Sequence, residues 1–284
     1  MPEDPISFAN RELRFLEFNQ RIVQEAADDD VPLLERLKFV SIVGANLDEF
    51  FMIRVAGLEQ QLKSGVLESG PDGLTPSEQL SAIRSRVQSQ VSDVEDVLLE
   101  RILPRLAREG IHLSRVLDLD RDQLAQARAH FEDQLFGMLT PLAVDPGHPF
   151  PLLKNRSLNL AVHLLPKESE DASIPLLAVV QIPALAPRLV ELRGADLTVV
   201  FVEDVIRHHA EALFPGMKLL ECVPFRVLRN WDLLFDEDEQ EDLVVTIQKQ
   251  LHQRWRLDAI RLEVARGASS ALVERLTDSL GLRA

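Results

Sequence analysis

SLNLAVHLL, residues 157–165, is where the chain changes its hydrophobic period. Leu158, Leu160, Val162 and Leu164 alternate with smaller or polar residues, so every second side chain falls on one face of an extended segment. The same reading applies to LLAVVQI (176–182), TVVFV (198–202), FRVLR (225–229) and AIRLEV (259–264), which are β-branched or alternating. Helical patterns intervene at 204–213, 237–255 and 270–280, and this mixture predicts an α+β region with a mixed or antiparallel sheet. The Pro-rich passage 141–151, just upstream, reads as irregular chain.

Before residue 110 the period is helical. Phe15, Phe18, Ile22 and Ala26 recur at spacings of three and four, and Asp28-Asp29-Asp30 with Pro32 stops that helix and restarts another near Leu33. The second helix is expected to place Leu34, Leu37, Val40 and Ser41 on one side. A turn-rich loop occupies residues 65–76, and after it Leu80, Ile83, Val87, Val91, Val94, Leu98 and Ile102 form one long apolar stripe. Pro104 is expected to loosen the last turn and Gly110 to stop it. Two domains follow from this reading: a helical bundle over residues 1–110 and an α+β domain over 111–284. Asp120 can cap a further helix bearing Leu124, Ala127, Phe131, Leu135 and Met138.

Composition narrows the function. Hydrophobic residues make up 46% and charged residues 27% of 284 residues, which fits a globular chain able to bury a core. Net charge is −15, and both parts are acidic, with 12 Lys+Arg against 20 Asp+Glu up to residue 110 and 19 against 26 beyond it. A phosphate-binding nucleic-acid module normally carries a basic face, so nonspecific nucleic-acid binding is disfavoured. No apolar run approaches the roughly 20 residues of a membrane span, and the acidic start is unlike a secretory signal, so a cytoplasmic location is expected. The single cysteine, Cys222, reads as a small, partly buried apolar residue.

Several polar motifs invite chemistry. NLDEFFMIRVAGL (46–58) sets an Asn-x-Asp-Glu cluster ahead of an apolar helical run; read from the residues alone, Asn46 caps a helix beginning near Asp48. Arg54 has Phe50, not a carboxylate, four residues before it and reads as solvated or paired with a neighbouring helix. Lys154-Asn155-Arg156 is the best local basic cluster and reads as a turn. Asp145 with His148, and the pair His208-His209, suggest metal ligands, but helical neighbours point about 100° apart, and DPGHPF is better explained as a rigid turn. The acidic run DEDEQED (236–242) reads as the start of a helix whose apolar face is Leu243, Ile247, Leu251 and Trp255. There is no Walker-type loop, Gly-x-Ser-x-Gly elbow or zinc-helix motif, so no metal site and no catalytic residue is assigned.

Taken in order, NRELRFLEFNQRIVQEA (10–26), NLDEFFMIRVAGL (46–58), LTPLAVDPGHPFPLLKNRSLNLAV (139–162), HHAEALFPGM (208–217) and PFRVLRNWDLLFDE (224–237) resemble the amino-terminal part of the type 1 polyphosphate kinase family. That resemblance implies a helical amino-terminal domain and a head domain. It also implies reversible synthesis of polyphosphate from ATP, with Mg2+, through a phosphohistidine, and a dimer in which these two domains line one wall of the ATP tunnel. By the family pattern Asn46 contacts the nucleotide, where a carboxamide supplies both donor and acceptor to a purine edge. Arg54 matches an arginine of the pattern and is a candidate phosphate contact. Ala45 stands where the family usually has Ser or Asn, Phe15 where it has Trp, and Leu228 and Trp231 where smaller or polar residues are usual.

The phospholipase-D-like catalytic domains and the phosphorylated histidine belong to a part of the family pattern beyond Ala284, so none of the seven histidines inherits that role. The expectation is therefore a nucleotide-facing, dimer-forming portion of a kinase, truncated or split and inactive alone, whose partners are ATP, a second copy, and a separate catalytic half or a full-length kinase. The alternative is a free-standing scaffold or regulatory protein without nucleotide binding.

Overall fold

A computed structural model of the protein describes residues 10–145, 147–167, 175–231 and 258–282. They form two compact units: the described residues up to Glu109 together with Asn230 and Trp231, and Gly110–Arg229 together with 258–282. The predicted helix over 237–255, with its acidic opening, lies outside the described residues.

The first unit is a helical bundle. Asn10 accepts from the Leu13 amide and so caps α1 (Arg11–Ala27). After Pro32, α2 (Leu33–Phe50) passes through a π turn (Phe51–Val55) into α3 (Ala56–Lys63). Thr75 and Glu78 then form a reciprocal capping box that opens α4 (Pro76–Asp96), with proline in its first turn. A second π turn (Val97–Ile102) leads into α5 (Leu103–Arg108). Pro104 has no N–H for the carbonyl four residues back, and the widened turn before it accommodates that loss. Gly110, at φ 77°, closes the helix.

Cross-helix pairs fix the directions. Phe15 stacks on Phe50 with centroids 5.2 Å apart, and one turn along Asn19 bonds to Asn46, so α1 and α2 run antiparallel. The pairs with α4 advance together, Glu17 pairing with Arg86, Asn19 bonding to Gln90 and Gln20 to Asp93, so α1 and α4 run parallel. Three predicted faces need correction. In α1 the buried side chains are Leu16, Asn19, Val23 and Ala26, one position out of phase with the Phe15–Phe18–Ile22 stripe, because a polar residue sits in the core. In α2 they are Arg36, Val43, Leu47, Asp48 and Phe50, while Leu34 is 58% exposed. In α4 the stripe runs through Ile83, Val87 and Gln90, again with a carboxamide in an apolar row.

The second unit is α+β. Five strands form one antiparallel sheet in the order β2-β4-β3-β7-β8, where β2 is Pro141–Val144, β3 Leu158–Pro166, β4 Leu176–Gln181, β7 Met217–Arg229 and β8 Ala259–Val264. A smaller mixed sheet has the order β1-β6-β5, from Ile111–Leu113, Leu197–Phe201 and Leu189–Leu192, with β1 parallel to β6 and β5 antiparallel. The helices are α6 (Arg121–His130), α7 (Val202–His208) and α8 (Ser270–Ser279). Asp120 caps α6 in a second capping box.

Central strand β3 is buried on both faces, which is why its alternation is incomplete. Leu160, Val162 and Leu164 join Phe131, Leu135, Val200 and Ile206 on one side. Ala161 faces Leu177, Phe225, Leu272 and Leu276 on the other, under α8. Cys222, half-buried, packs against the first of these clusters. The proline passage also needs correction, because Pro141–Val144 is a strand. It lies at the sheet edge with Pro141 first, a position that needs no donated N–H.

Candidate functional site

Asn46 does not cap a helix. It lies inside α2, four residues before the helix gives way to the π turn, and it is half-buried. Its Nδ2 donates to Oδ1 of the fully buried Asn19 at 3.0 Å. Asn19 Nδ2 in turn donates to Oε1 of the fully buried Gln90 at 2.8 Å. Gln90 spends both protons of its amide, one on the Leu16 main-chain carbonyl at 3.0 Å and one on Gln20 Oε1 at 3.0 Å. Gln20 Nε2 ends the chain on Asp93 Oδ2 at 2.8 Å.

Such a chain satisfies polar groups that would otherwise be costly to bury. Its termini also set its direction, since a main-chain carbonyl and a carboxylate only accept. Asn46 therefore presents Oδ1 and its remaining N–H, and no described residue donates to that oxygen.

One turn along α2 from Asn46 the buried Phe50 stacks on Phe15, and Phe51 meets Phe50 edge-on at 6.0 Å. Arg54 follows on the π turn, exposed, without a hydrogen bond or ion pair among the described residues. On one helix, eight residues separate it from Asn46 by about 12 Å along the axis. A groove of about 270 Å³ lies elsewhere in this unit, lined by Gln20, Gln24, Asp93, Asp96 and Arg101 among others; neither Asn46 nor Arg54 lines it.

The comparisons with known proteins fall on this same arrangement of units. Residues 8–114 match the model described as polyphosphate kinase N-terminal domain, and residues 122–284 match the polyphosphate kinase middle domain. The chain belongs to the polyphosphate kinase family. A polyphosphate kinase of Thermosynechococcus vestitus is 41% identical over 287 residues, covering 99% of this chain and 39% of that protein. One from Mycobacterium marinum is 41% identical over 289 residues, covering 99% and 38%. The crystal structure of polyphosphate kinase from Porphyromonas gingivalis superposes with a TM-score of 0.79 at 26% identity, covering 99% of this chain and 38% of that one. The chain thus spans about two fifths of the length of these relatives.

The other polar motifs resolve into structure. His148 Nδ1 lies 3.1 Å from both Asp145 oxygens, and the two residues also exchange main-chain bonds across a tight turn. His209 packs on Phe131 with ring centroids 5.0 Å apart, and burial, with the charges of His208 and Arg128, pushes its pKa down. Among the described residues no group of three or more His, Cys, Asp or Glu is placed to hold a metal ion. Lys154-Asn155-Arg156 is a turn: Asn155 Oδ1 accepts from the Arg229 amide at 3.0 Å, and Arg156 has φ 61°. No helix among the described residues is long and apolar enough to cross a membrane.

Two features escaped the sequence reading. Asn19 and Gln90 sit in apolar rows, where a polar residue looks like an interruption; two carboxamides at core positions of neighbouring helices were the available signal. Arg36 is fully buried in α2, donating to the Ala26 carbonyl at 2.8 Å and pairing with Asp29, which also receives Arg105 at 2.8 Å.

Proposed function

We propose that this chain is the nucleotide-contacting and dimer-forming portion of an ATP–polyphosphate phosphotransferase. Its 1–110 and 111–284 parts act as amino-terminal and head domains. The observation that carries this reading is Asn46, half-buried at the end of a buried hydrogen-bond chain, with a carbonyl oxygen to which no described residue donates. A nucleotide base at Asn46 leaves its phosphates about 12 Å of helix in which to reach the exposed Arg54. Mg-ATP is the substrate form, the ion travelling with the phosphates rather than with a protein cage.

Catalysis is assigned to segments of the relatives that this chain does not match. In isolation it binds ATP without transferring phosphate, in the cytoplasm, as a dimer that pairs with a catalytic half or a full-length kinase. Calorimetric titration of the purified chain with Mg-ATP tests this, beside Asn46→Ala and Arg54→Ala. The expected result is saturable binding that Asn46→Ala and Arg54→Ala each weaken about tenfold, the usual scale of one such contact. Absence of binding at millimolar ATP, or binding indifferent to Asn46, overturns the proposal.

A further inference from the structure

We infer that Asn19, held by Gln90, is a positioning residue that fixes which half of the Asn46 carboxamide faces a ligand, and so selects a purine bearing a 6-amino group. This rests on the reading of Asn46 as a nucleotide contact. The polarity of the chain is not arbitrary. The Leu16 carbonyl and the Asp93 carboxylate can only accept, so Gln90 and Gln20 must turn their amide nitrogens toward them. Gln90 Oε1 is then left to accept from Asn19 Nδ2, and Asn19 Oδ1 to accept from Asn46 Nδ2. Reversing Asn46 would set its oxygen against Asn19 Oδ1 and strand both.

The ligand therefore meets an acceptor with one N–H beside it. Adenine offers the complement, an exocyclic amine next to a ring nitrogen acceptor. A 6-oxo purine in the same position brings oxygen against oxygen, and phosphate oxygens would do the same, so the open carbonyl belongs to the base end of the nucleotide. Asn19 itself is fully buried and acts only through Asn46.

The test is the ratio of ATP to ITP affinity, each as the Mg complex, measured by calorimetry on the full chain. The expected ratio is about tenfold or more, the scale of one well-made base-edge contact. It should fall toward unity in Asn46→Ala and in Asn19→Ala, in the latter with ATP still bound. Asn19→Asp is the second variant. Its carboxyl, like that of Asp93, still accepts from Asn46 Nδ2 in either protonation state, so Asn19→Asp should keep the ratio that Asn19→Ala loses.

A merely structural Asn19 would change stability without changing the ratio. If a folded Asn19→Ala keeps the ratio that Asn46→Ala loses, the positioning role is overturned and the nucleotide contact stands. Should Asn19→Ala not fold, a folded Asn19→Leu, Gln90→Leu double variant that keeps the ratio, or an Asn19→Asp that binds ATP but loses the ratio, overturns it equally. If ITP binds as ATP does while 2′-deoxy-ATP binds weakly, the acceptor faces ribose and the base assignment falls. If ATP does not bind, or Asn46→Ala binds it normally, both the contact and the inference fall.

Discussion

Replacing Gln90 with methionine keeps the volume of the side chain and removes all three of its hydrogen bonds. The largest consequence is at Asn19, fully buried, whose Nδ2 then has no acceptor at 2.8 Å. A buried polar group left unpaired costs about 1–3 kcal/mol, and the net loss of the bond to the Leu16 carbonyl adds about 1 kcal/mol. Gln20 lies at the edge of the groove, where water can replace its bond. The sum is about 2–4 kcal/mol for Gln90→Met. With a urea m-value near 2 kcal/mol/M for a unit of this size, the midpoint falls by about 1–2 M. The contrasting variant is Asn19→Leu with Gln90→Leu, which removes both partners together. Replacing a buried pair by apolar groups is often neutral or stabilising, and Asn46, being half-exposed, can turn its amide to water. Urea unfolding followed at 222 nm should therefore show the single variant well below the double. A single variant within about 0.5 kcal/mol of the parent would mean that these carboxamides are hydrated in solution, and would refute the dry, directional chain.

The remaining predictions address other parts of the molecule. Arg36→Ala removes a fully buried side chain and its bond to the Ala26 carbonyl, and should lower stability by about 2–4 kcal/mol in the same urea assay. His209 has its pKa pushed down by burial, so the unfolded chain binds more protons just below the ordinary value of 6.5. The stability that His209 contributes is thus complete above that value and is lost as pH falls below it; urea midpoints at pH 8 and pH 5.5 should differ less in His209→Phe than in the parent. Burial pushes the Cys222 thiol up to about 12 from 9.0, so its thiolate fraction at pH 8 is about a thousandfold below that of an open cysteine. Reaction with a disulfide reagent should be slow in the native protein and fast in urea.

Hydrophobic period sufficed for the α+β class, for the long helix through Ile83 and Val87, and for β8 at the residues expected of it. It failed where tertiary context overrode it. The strands β1 and β5, three and four residues long, are too short for a period to declare itself, and β2 begins at a proline that only an edge position tolerates. The phase of α1 was misread because Asn19 occupies a position that looks like a break in the apolar row. The same cause hid the second layer of the candidate site. Asn46 stood out by motif, but Asn19 and Gln90 are 71 residues apart, and nothing local to either announces their bond.

A helical bundle that needed only stability would gain little from two carboxamides in its core. Leucine at both positions would bury more apolar area without requiring each lone pair and proton to find a partner. What the carboxamides add is direction. Apolar packing can hold Asn46 in place, yet it cannot distinguish the oxygen of an amide from its nitrogen, since the two are nearly the same size. Only another hydrogen-bonding group makes that distinction, and only a group that accepts without donating makes it irreversibly. The Leu16 carbonyl is such a group, part of the backbone of α1 and beyond the reach of any side-chain rotation. From it, Gln90 and Asn19 carry one fixed orientation across two helix interfaces to a half-exposed position on a third helix. Stability alone does not require that transfer, whereas recognition of a donor on a ligand does.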